Sequence, residues 1–561
     1  MTTDVHPGRD RRADRAGSHP ARRPAPGHVG PLTGTGTLTR LALRRDRLRL
    51  TLWIVLLAGT VLSSASTFND LYPTVESRLR LAEGIGANPA LLALYGPAFD
   101  LSTIGGLIAW RFGIIGTVLV PLLGVLTVVR HTRAEEEIGR SELVGSGVVG
   151  RFAPLTAALL TAGLAVAGFA LLTFLGIVGL GEPATGSLAL VLAWAGAGWM
   201  FAAVAAVTAQ LTESARSATG LAGGVLGGSF LLRAIGDTAE ADGMGWLSWL
   251  SPLGWVQQAR PFADERWWVY GLMAAAVAVL CAAGYRLAAR RDFGAGLIPP
   301  RPGPAEAAPD LRTPLALAWR LHRGPLIGWA AGMLLFGAVL GSVAAGVGDL
   351  VADNPDLADI LAQLGGAQGL VDAYLAAVIG IIALIVAVYA VQAVLRLRAE
   401  ETATRAEPLL ATTVRRVPWA VSHLVFAVAG SAVLMLAAGL GAGLAHGVRT
   451  DDVPGQLGSL LVATLVQLPA VWVVAGVAVA LFGLLPRLVV ASWGALVLFL
   501  LLGQLGPTLQ LDQAVINASP FTHVPGLPGG DLTAPPLLWL LLVASLLVMG
   551  GLAGFRRRDV G

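Results

Sequence analysis

The chain has 561 residues, 55% apolar and only 13% charged, where a soluble domain carries about 25% charged residues, so a water-soluble globular protein is excluded. All thirty-nine basic residues are arginine, which removes any P-loop, because its lysine must reach the β- and γ-phosphates. The formal net charge is only +4, and the one cysteine, Cys281, lies inside an apolar run, which excludes a disulfide framework and a thiolate metal cluster.

Residues 1–36 are rich in Pro, Gly and Arg and read as a disordered tail with no signal-peptide pattern. Leu38, Leu41, Leu43, Leu48 and Leu50 then alternate with Arg40, Arg44, Arg45, Arg47 and Arg49. That basic amphipathic pattern suits an elbow helix lying in the membrane interface, although flanking charge alone would also produce it. Apolar runs of about 20 residues, the length that crosses a hydrocarbon core as a helix, follow along almost the whole chain. About twelve spans are expected. In the first half they fall near 51–68, 104–129, 153–178, 186–211, 219–235 and 267–285, and in the second near 326–347, 371–395, 419–444, 457–483, 488–506 and 535–555.

The two halves repeat. Arg133 to Glu142 recurs at Arg398 to Glu407 with an offset of 265, pairing Glu135 with Glu400, Glu136 with Glu401, Arg140 with Arg405, Glu142 with Glu407 and Arg151 with Arg416. Ser251, Pro252 and Trp255 before the sixth span are answered by Ser519, Pro520 and His523 before the twelfth, and Arg290-Arg291-Asp292 by Arg557-Arg558-Asp559. An all-α polytopic membrane protein of two parallel six-helix repeats is therefore expected, the halves covering 37–298 and 315–561 with a Pro-rich linker at 299–314. An inside N-terminus puts thirty-two of the thirty-nine arginines on the cytoplasmic side, which predicts cytoplasmic termini.

The repeated charged segment is expected to be a partner-docking surface, with Glu136–Arg140 and Glu401–Arg405 as i, i+4 helical pairs. The segments around Ser251 and Ser519 are expected as re-entrant or interfacial helices, with an ordinary external loop as the alternative. Gly220, Gly224 and Gly228, four apart in the fifth span, predict close helix packing. His423 is the clearest ionisable group within a span. A lone histidine is a poor proton relay, so a structural role is expected for it, and interhelical bonding for Gln210, Gln392, Gln467 and Gln504. No HExxH, CxxC or hydrolase GxSxG pattern occurs, so no catalytic, cofactor or metal site is expected in this chain.

On the twinned acidic segments, the stretch Ser251 to Phe262 and the stretch Arg290 to Gly303, the chain from about residue 37 to its end resembles ABC-2-type transporter permeases. It is most similar to the fused-half actinobacterial permeases of the polyketide-antibiotic exporter family. The resemblance implies that Arg133, Glu135, Glu136, Arg140 and Glu142, with Arg398, Glu400, Glu401, Arg405 and Glu407, form coupling helices for two copies of a separate ATP-binding subunit, which would bind the ATP and Mg. Arg216 and Arg487 would make secondary contacts. The cargo would be a hydrophobic or amphipathic molecule, and nucleic acid is not an expected partner. The second half departs from the pattern at Thr402, which replaces Glu137, and at Thr522 and His523, which replace Gly254 and Trp255. A gradient-driven transporter and a membrane scaffold remain alternatives.

Overall fold

The computed structural model describes residues 30–559 except 73, 80–88, 114, 239–244, 293, 299–305, 307, 310, 353–365 and 506–511. Residues 1–29 of the expected tail and most of the linker thus lie outside the described residues, while α1 already begins at Thr35, inside the expected tail. Among those described there is no strand, and eleven helices are long and apolar enough to cross a membrane.

In the first half the helices are α1 (Thr35–Leu71), α2 (Pro89–Tyr95), α3 (Ile104–Arg111), α4 (Val120–His131), α5 (Arg133–Glu137), α6 (Arg140–Gly145), α7 (Ala153–Gly179), α8 (Ala184–Leu211), α9 (Ala215–Thr238), α10 (Trp246–Leu250), α11 (Pro252–Gln258) and α12 (Trp268–Arg290). The second half has α13 (Pro314–Ala352), α14 (Gly366–Thr402), α15 (Ala406–Leu410), α16 (Arg416–Arg449), α17 (Val453–Val466), α18 (Leu468–Leu484), α19 (Ala491–Leu505), α20 (Gln513–Ile516) and α21 (Ala534–Arg557).

The same helix pairs pack in both halves. The α1–α7 pair is matched by α13–α16, α4–α8 by α14–α18, α4–α7 by α14–α16 and α8–α12 by α18–α21. Each half has its own main core, one around Trp194, Phe169 and Phe201 and the other around Trp419, Phe482 and Phe555. Leu171, Leu175 and Val279 stay exposed, as expected of side chains whose solvent is hydrocarbon.

Several elements differ from the sequence expectation. The elbow is not a separate helix, because α1 runs unbroken for 37 residues and α13 for 39. No glycine or proline interrupts α1 between its amphipathic and apolar parts, and Pro325 is carried inside α13.

The second span is divided into α3, a π turn at Ile115–Leu119 and α4, whereas its counterpart α14 is continuous. Pro121 lacks the N–H that would bond the carbonyl of Thr117, so the widened turn forms there. Gly116 lies against the indole of Trp194, where a Cβ would overlap the ring. In α14 the positions of Gly116 and Pro121 are Ile381 and Val386, which restore an ordinary helix.

The tenth span breaks at Gln467, two residues before Pro469, into α17 and α18. The eleventh expected apolar segment, 488–506, contains α19, whose 15 residues reach about 22 Å at 1.5 Å per residue.

Among the described residues the expected packing at Gly220, Gly224 and Gly228 is not present. A Cβ at any of the three would meet nothing within 4 Å. The close approaches are elsewhere. Gly337 and Gly341 of α13 face the backbone of Ala438 and Ala442 in α16, and Gly441 faces the carbonyl of Leu334. Bare backbone on both helices allows that contact, while α9 presents Gly220, Gly224 and Gly228 to open space and packs only Gly236, against Ser248.

Candidate functional site

The N-terminus of α1, the ends of α4, α8 and α12, and the repeated segment all meet at one end of the first half, and their counterparts meet in the second. At this arginine-rich end each half is closed by a clamp of the same design. Arg291, just past α12, grips Glu136 with both guanidinium ends, Nη1 to Oε2 at 2.9 Å and Nη2 to Oε1 at 2.5 Å. Arg558, just past α21, grips Glu401 in the same way at 2.6 and 2.9 Å. Two parallel N–H···O bonds between planar groups are the strongest geometry for this pair.

A second arginine completes each clamp. Arg133 donates to Glu136 at 2.8 Å, and Arg398 to Glu401 at 3.0 Å. Arg133 is itself fully buried, with its Nε bonded to the carbonyl of Ala209 at 3.0 Å. In the first half Arg291 also donates from Nε to Gln210 at 2.5 Å, so Gln210 does bond between helices.

The neighbouring arginine of the repeat is equally matched. Arg151 donates to the carbonyls of Ala288, Ala289 and Arg291, and Arg416 to that of Arg558. Both satisfy carbonyls at the end of the sixth helix of their half, where helical partners run out and positive charge is favoured.

These contacts change the meaning of the repeated charges. Arg133, Glu400 and Glu401 are buried, and Glu136 is half-buried with both oxygens occupied. The expected i, i+4 pairs do not form. The helix stops after Glu137, and Gly139 turns the chain with φ 70°. Thr404 at the matching position turns it with φ 55°. Beyond the turn, residues four apart no longer share a face, so Arg140 sits 3.8 Å from Glu135 and Arg405 3.6 Å from Glu400.

Exposed on the segment are Glu137, Ile138, Arg140, Glu142 and Leu143 in the first half and Thr402, Arg405 and Glu407 in the second. Arg216 and Arg487 are exposed nearby, and Glu137 caps the start of α9 by accepting from the Ala215 N–H at 3.1 Å. Thr402 instead bonds the carbonyl of Arg398 within its own helix, so the second half lacks that link.

A β-branched residue with positive φ costs about 1–3 kcal/mol, and glycine at such a site gives back about 0.5–1 kcal/mol in unfolded-state entropy. Thr404→Gly should therefore stabilise the protein by about 1 kcal/mol, read as a rise in thermal midpoint. A fall would mean that the Thr404 side chain holds the turn.

Two groups went unnoticed in the sequence. Asp46, buried in the arginine run of α1, binds Arg130 Nε at 2.9 Å and His131 at 3.0 Å, fastening α1 to α4. Its being the sole acid among residues 40–49 was the available signal. His423 is not alone, since His322 of α13 lies 3.0 Å from it and stacks on Phe426.

At the opposite end, Ser251 donates to the Ser229 carbonyl at 2.6 Å, and Ser519 to that of Phe499 at 3.0 Å, each tying the short helices to the fifth span of its half. Trp255 bonds the Trp249 carbonyl at 2.7 Å, and His523 bonds the Asn517 carbonyl, also six residues back, at 2.8 Å. The substitution of His for Trp thus preserves the contact. Pro252 opens α11 while Pro520 opens a 3-10 turn. Gly254 lies on the Ser248 carbonyl with no room for a Cβ, a fit Thr522 cannot reproduce. Arg233, also at this end, is buried with Asp237 at 3.2 Å and caps α2 through the Leu94 carbonyl. Glu182, in the α7–α8 connection, accepts from the Gly105 N–H at 2.9 Å, and burial pushes its carboxyl above the usual range.

The sequence as a whole has a relative that matches it almost end to end. The chain is 47% identical over 551 residues, 98% of each chain, to the multidrug efflux system permease protein Rv1217c of Mycobacterium tuberculosis strain H37Rv. Residues 311–556 match the family model for the C-terminal domain of the multidrug efflux system permease Rv1217c. These 246 residues cover the second half, consistent with an ABC-2-type permease. The chain belongs to the Rv1217c family of multidrug efflux permeases, multi-pass proteins of the bacterial plasma membrane rather than enzymes.

Proposed function

We propose that this chain is the membrane-spanning subunit of an ATP-driven exporter of hydrophobic or amphipathic drug-like compounds, with its arginine-rich end in the cytoplasm. Two copies of a separate ATP-binding subunit, holding the ATP and Mg, would dock on the two repeated segments. The relative's name, a multidrug efflux system permease, supports the transport class and implies partner components. The arginine distribution supports the orientation.

The observation that carries the docking reading is the duplicated turn at Gly139 and Thr404. Each turn leaves Arg140 and Glu142, or Arg405 and Glu407, exposed, while the buried clamp behind it grips the end of the sixth helix of that half. Force applied at the exposed residues would pass through Glu136–Arg291 and Glu401–Arg558 into α12 and α21. Rigid clamps suit this, since coupling needs contiguous elements that move together.

The test is co-purification with the candidate ATP-binding subunit. The variant Arg140→Glu, Glu142→Arg, Arg405→Glu, Glu407→Arg reverses only exposed charges. It should keep the wild-type melting temperature and lose at least about ten-fold in subunit affinity. Equal binding by the variant, or none by the wild type, rejects the docking surface and favours a gradient-driven transporter or a scaffold.

A further inference from the structure

We propose that the first half binds an anionic phospholipid in a cavity at its arginine-rich end, and that the second half has lost this site by filling it. The cavity holds about 550 Å³, within the range of small-molecule sites. It lies between α1, the repeated segment, α7 and the end of α12. Leu38, Leu41 and Leu155 form an apolar wall, and Leu41 is 58% exposed on the interfacial part of α1. An acyl chain can lie along that wall.

The charged wall is selective by sign. Arg45 is paired with Glu135 at 2.5 Å, and Arg291 with Glu136. Arg140 and Arg151 remain against the single carboxylate of Asp292. Arg151 spends its Nη2 on main-chain carbonyls and pairs with no acid among the described residues. Arg140 is exposed, and its nearest acid, Glu135, lies 3.8 Å away, beyond hydrogen-bond distance. The surplus of one positive charge matches one phosphodiester. Exposed Arg40, Arg44 and Arg47 on α1 add to the local positive potential. Basic pockets between helices at the headgroup level are suited to such lipids.

The duplication supplies an internal comparison. At the offset of 265, Pro154 and Ala158 of the cavity wall become Trp419 and His423. Trp419 is 2% exposed and lies against His423 and Phe555, with ring centroids 5.5 and 5.9 Å away. His423 in turn bonds His322. Aromatic rings thus occupy in the second half the wall positions left small in the first.

Native mass spectrometry of the full-length permease in detergent, titrated with phosphatidylglycerol or phosphatidylcholine, tests this without any partner subunit. The result is therefore independent of the docking reading. Wild type should retain phosphatidylglycerol about ten-fold over phosphatidylcholine. Pro154→Trp, which copies the second half, should lose phosphatidylglycerol retention, and Arg140→Gln should lose the preference while keeping the wild-type melting temperature. Glycerol 3-phosphate should not displace the lipid, because it lacks the acyl chain. Equal retention of the two lipids by wild type overturns the proposal, as does unchanged retention by a folded Pro154→Trp. If Pro154→Trp does not fold, an unchanged lipid preference in Arg140→Gln overturns it. So does displacement by glycerol 3-phosphate, which would mark a plain anion site, or by the lipophilic cation ethidium, which would mark a cargo site.

Discussion

Glu401→Ala is expected to destabilise the protein by about 3–5 kcal/mol, the cost of removing one partner from a buried ion pair. Glu401 is 4% exposed and holds two arginines, Arg558 through both oxygens and Arg398 through one. Removing the carboxylate strands Arg558 between the rings of Phe482 and Phe555, whose centroids lie 5.0 and 5.1 Å from its guanidinium carbon. Those π faces offset only part of the lost charge, about 1–2 kcal/mol. Adding Arg558→Met to Glu401→Ala should recover stability, because an apolar side chain on those rings leaves no stranded cation there. Glu142→Ala, at an exposed position of the same repeat, should stay within about 0.5 kcal/mol of wild type. The readout is the thermal midpoint of the purified permease. A Glu401→Ala protein that melts with the wild type would remove the clamp from the account and return Glu401 to the surface role expected from sequence. The same result bears on partner binding, since reversing Glu136 or Glu401 would break the fold before it tested docking.

The apolar runs and the duplication were legible because both are patterns of residue type, and the matched helix pairs follow from them. The direction in which the repeated charges point was not legible. Spacing alone put Glu136 and Arg140 on one helical face, whereas a single positive φ at Gly139 separates them. Glycine at that position was a visible signal for such a turn; Thr404 in the second copy concealed it. The arginines after α12 and α21 were seen as a repeated motif, but the Glu136–Arg291 and Glu401–Arg558 contacts join residues more than 150 apart in sequence, a separation no local period encodes. The glycine pattern misled for a related reason. Four-residue spacing defines a face on a helix and does not say whether anything lies opposite. The π turn had local causes in Gly116 and Pro121, yet the indole that occupies the space beside Gly116 comes from Trp194 in another span.

Opposite signs are expected for the same substitution at two glycine faces. At Gly341 a Cβ would overlap the Ala442 carbonyl oxygen, with two more backbone atoms of that residue within 2.8 Å. Backbone on a packed helix cannot rotate away as a side chain can, so α13 and α16 must separate along the most extensive helix contact among the described residues. Gly341→Ala should cost about 3 kcal/mol, at the upper end of overpacking penalties, and the Gly337→Ala, Gly341→Ala pair should fail to yield folded protein. At Gly224 of α9 the same methyl group meets nothing within 4 Å. There the higher helix propensity of alanine dominates, and Gly224→Ala should stabilise by about 0.5–1 kcal/mol. Thermal midpoints of the two single variants decide the matter by sign. If Gly341→Ala is neutral, α13 and α16 are not in the close contact described. If Gly224→Ala destabilises, the open face of α9 is covered in the membrane by another element, and its glycines pack after all.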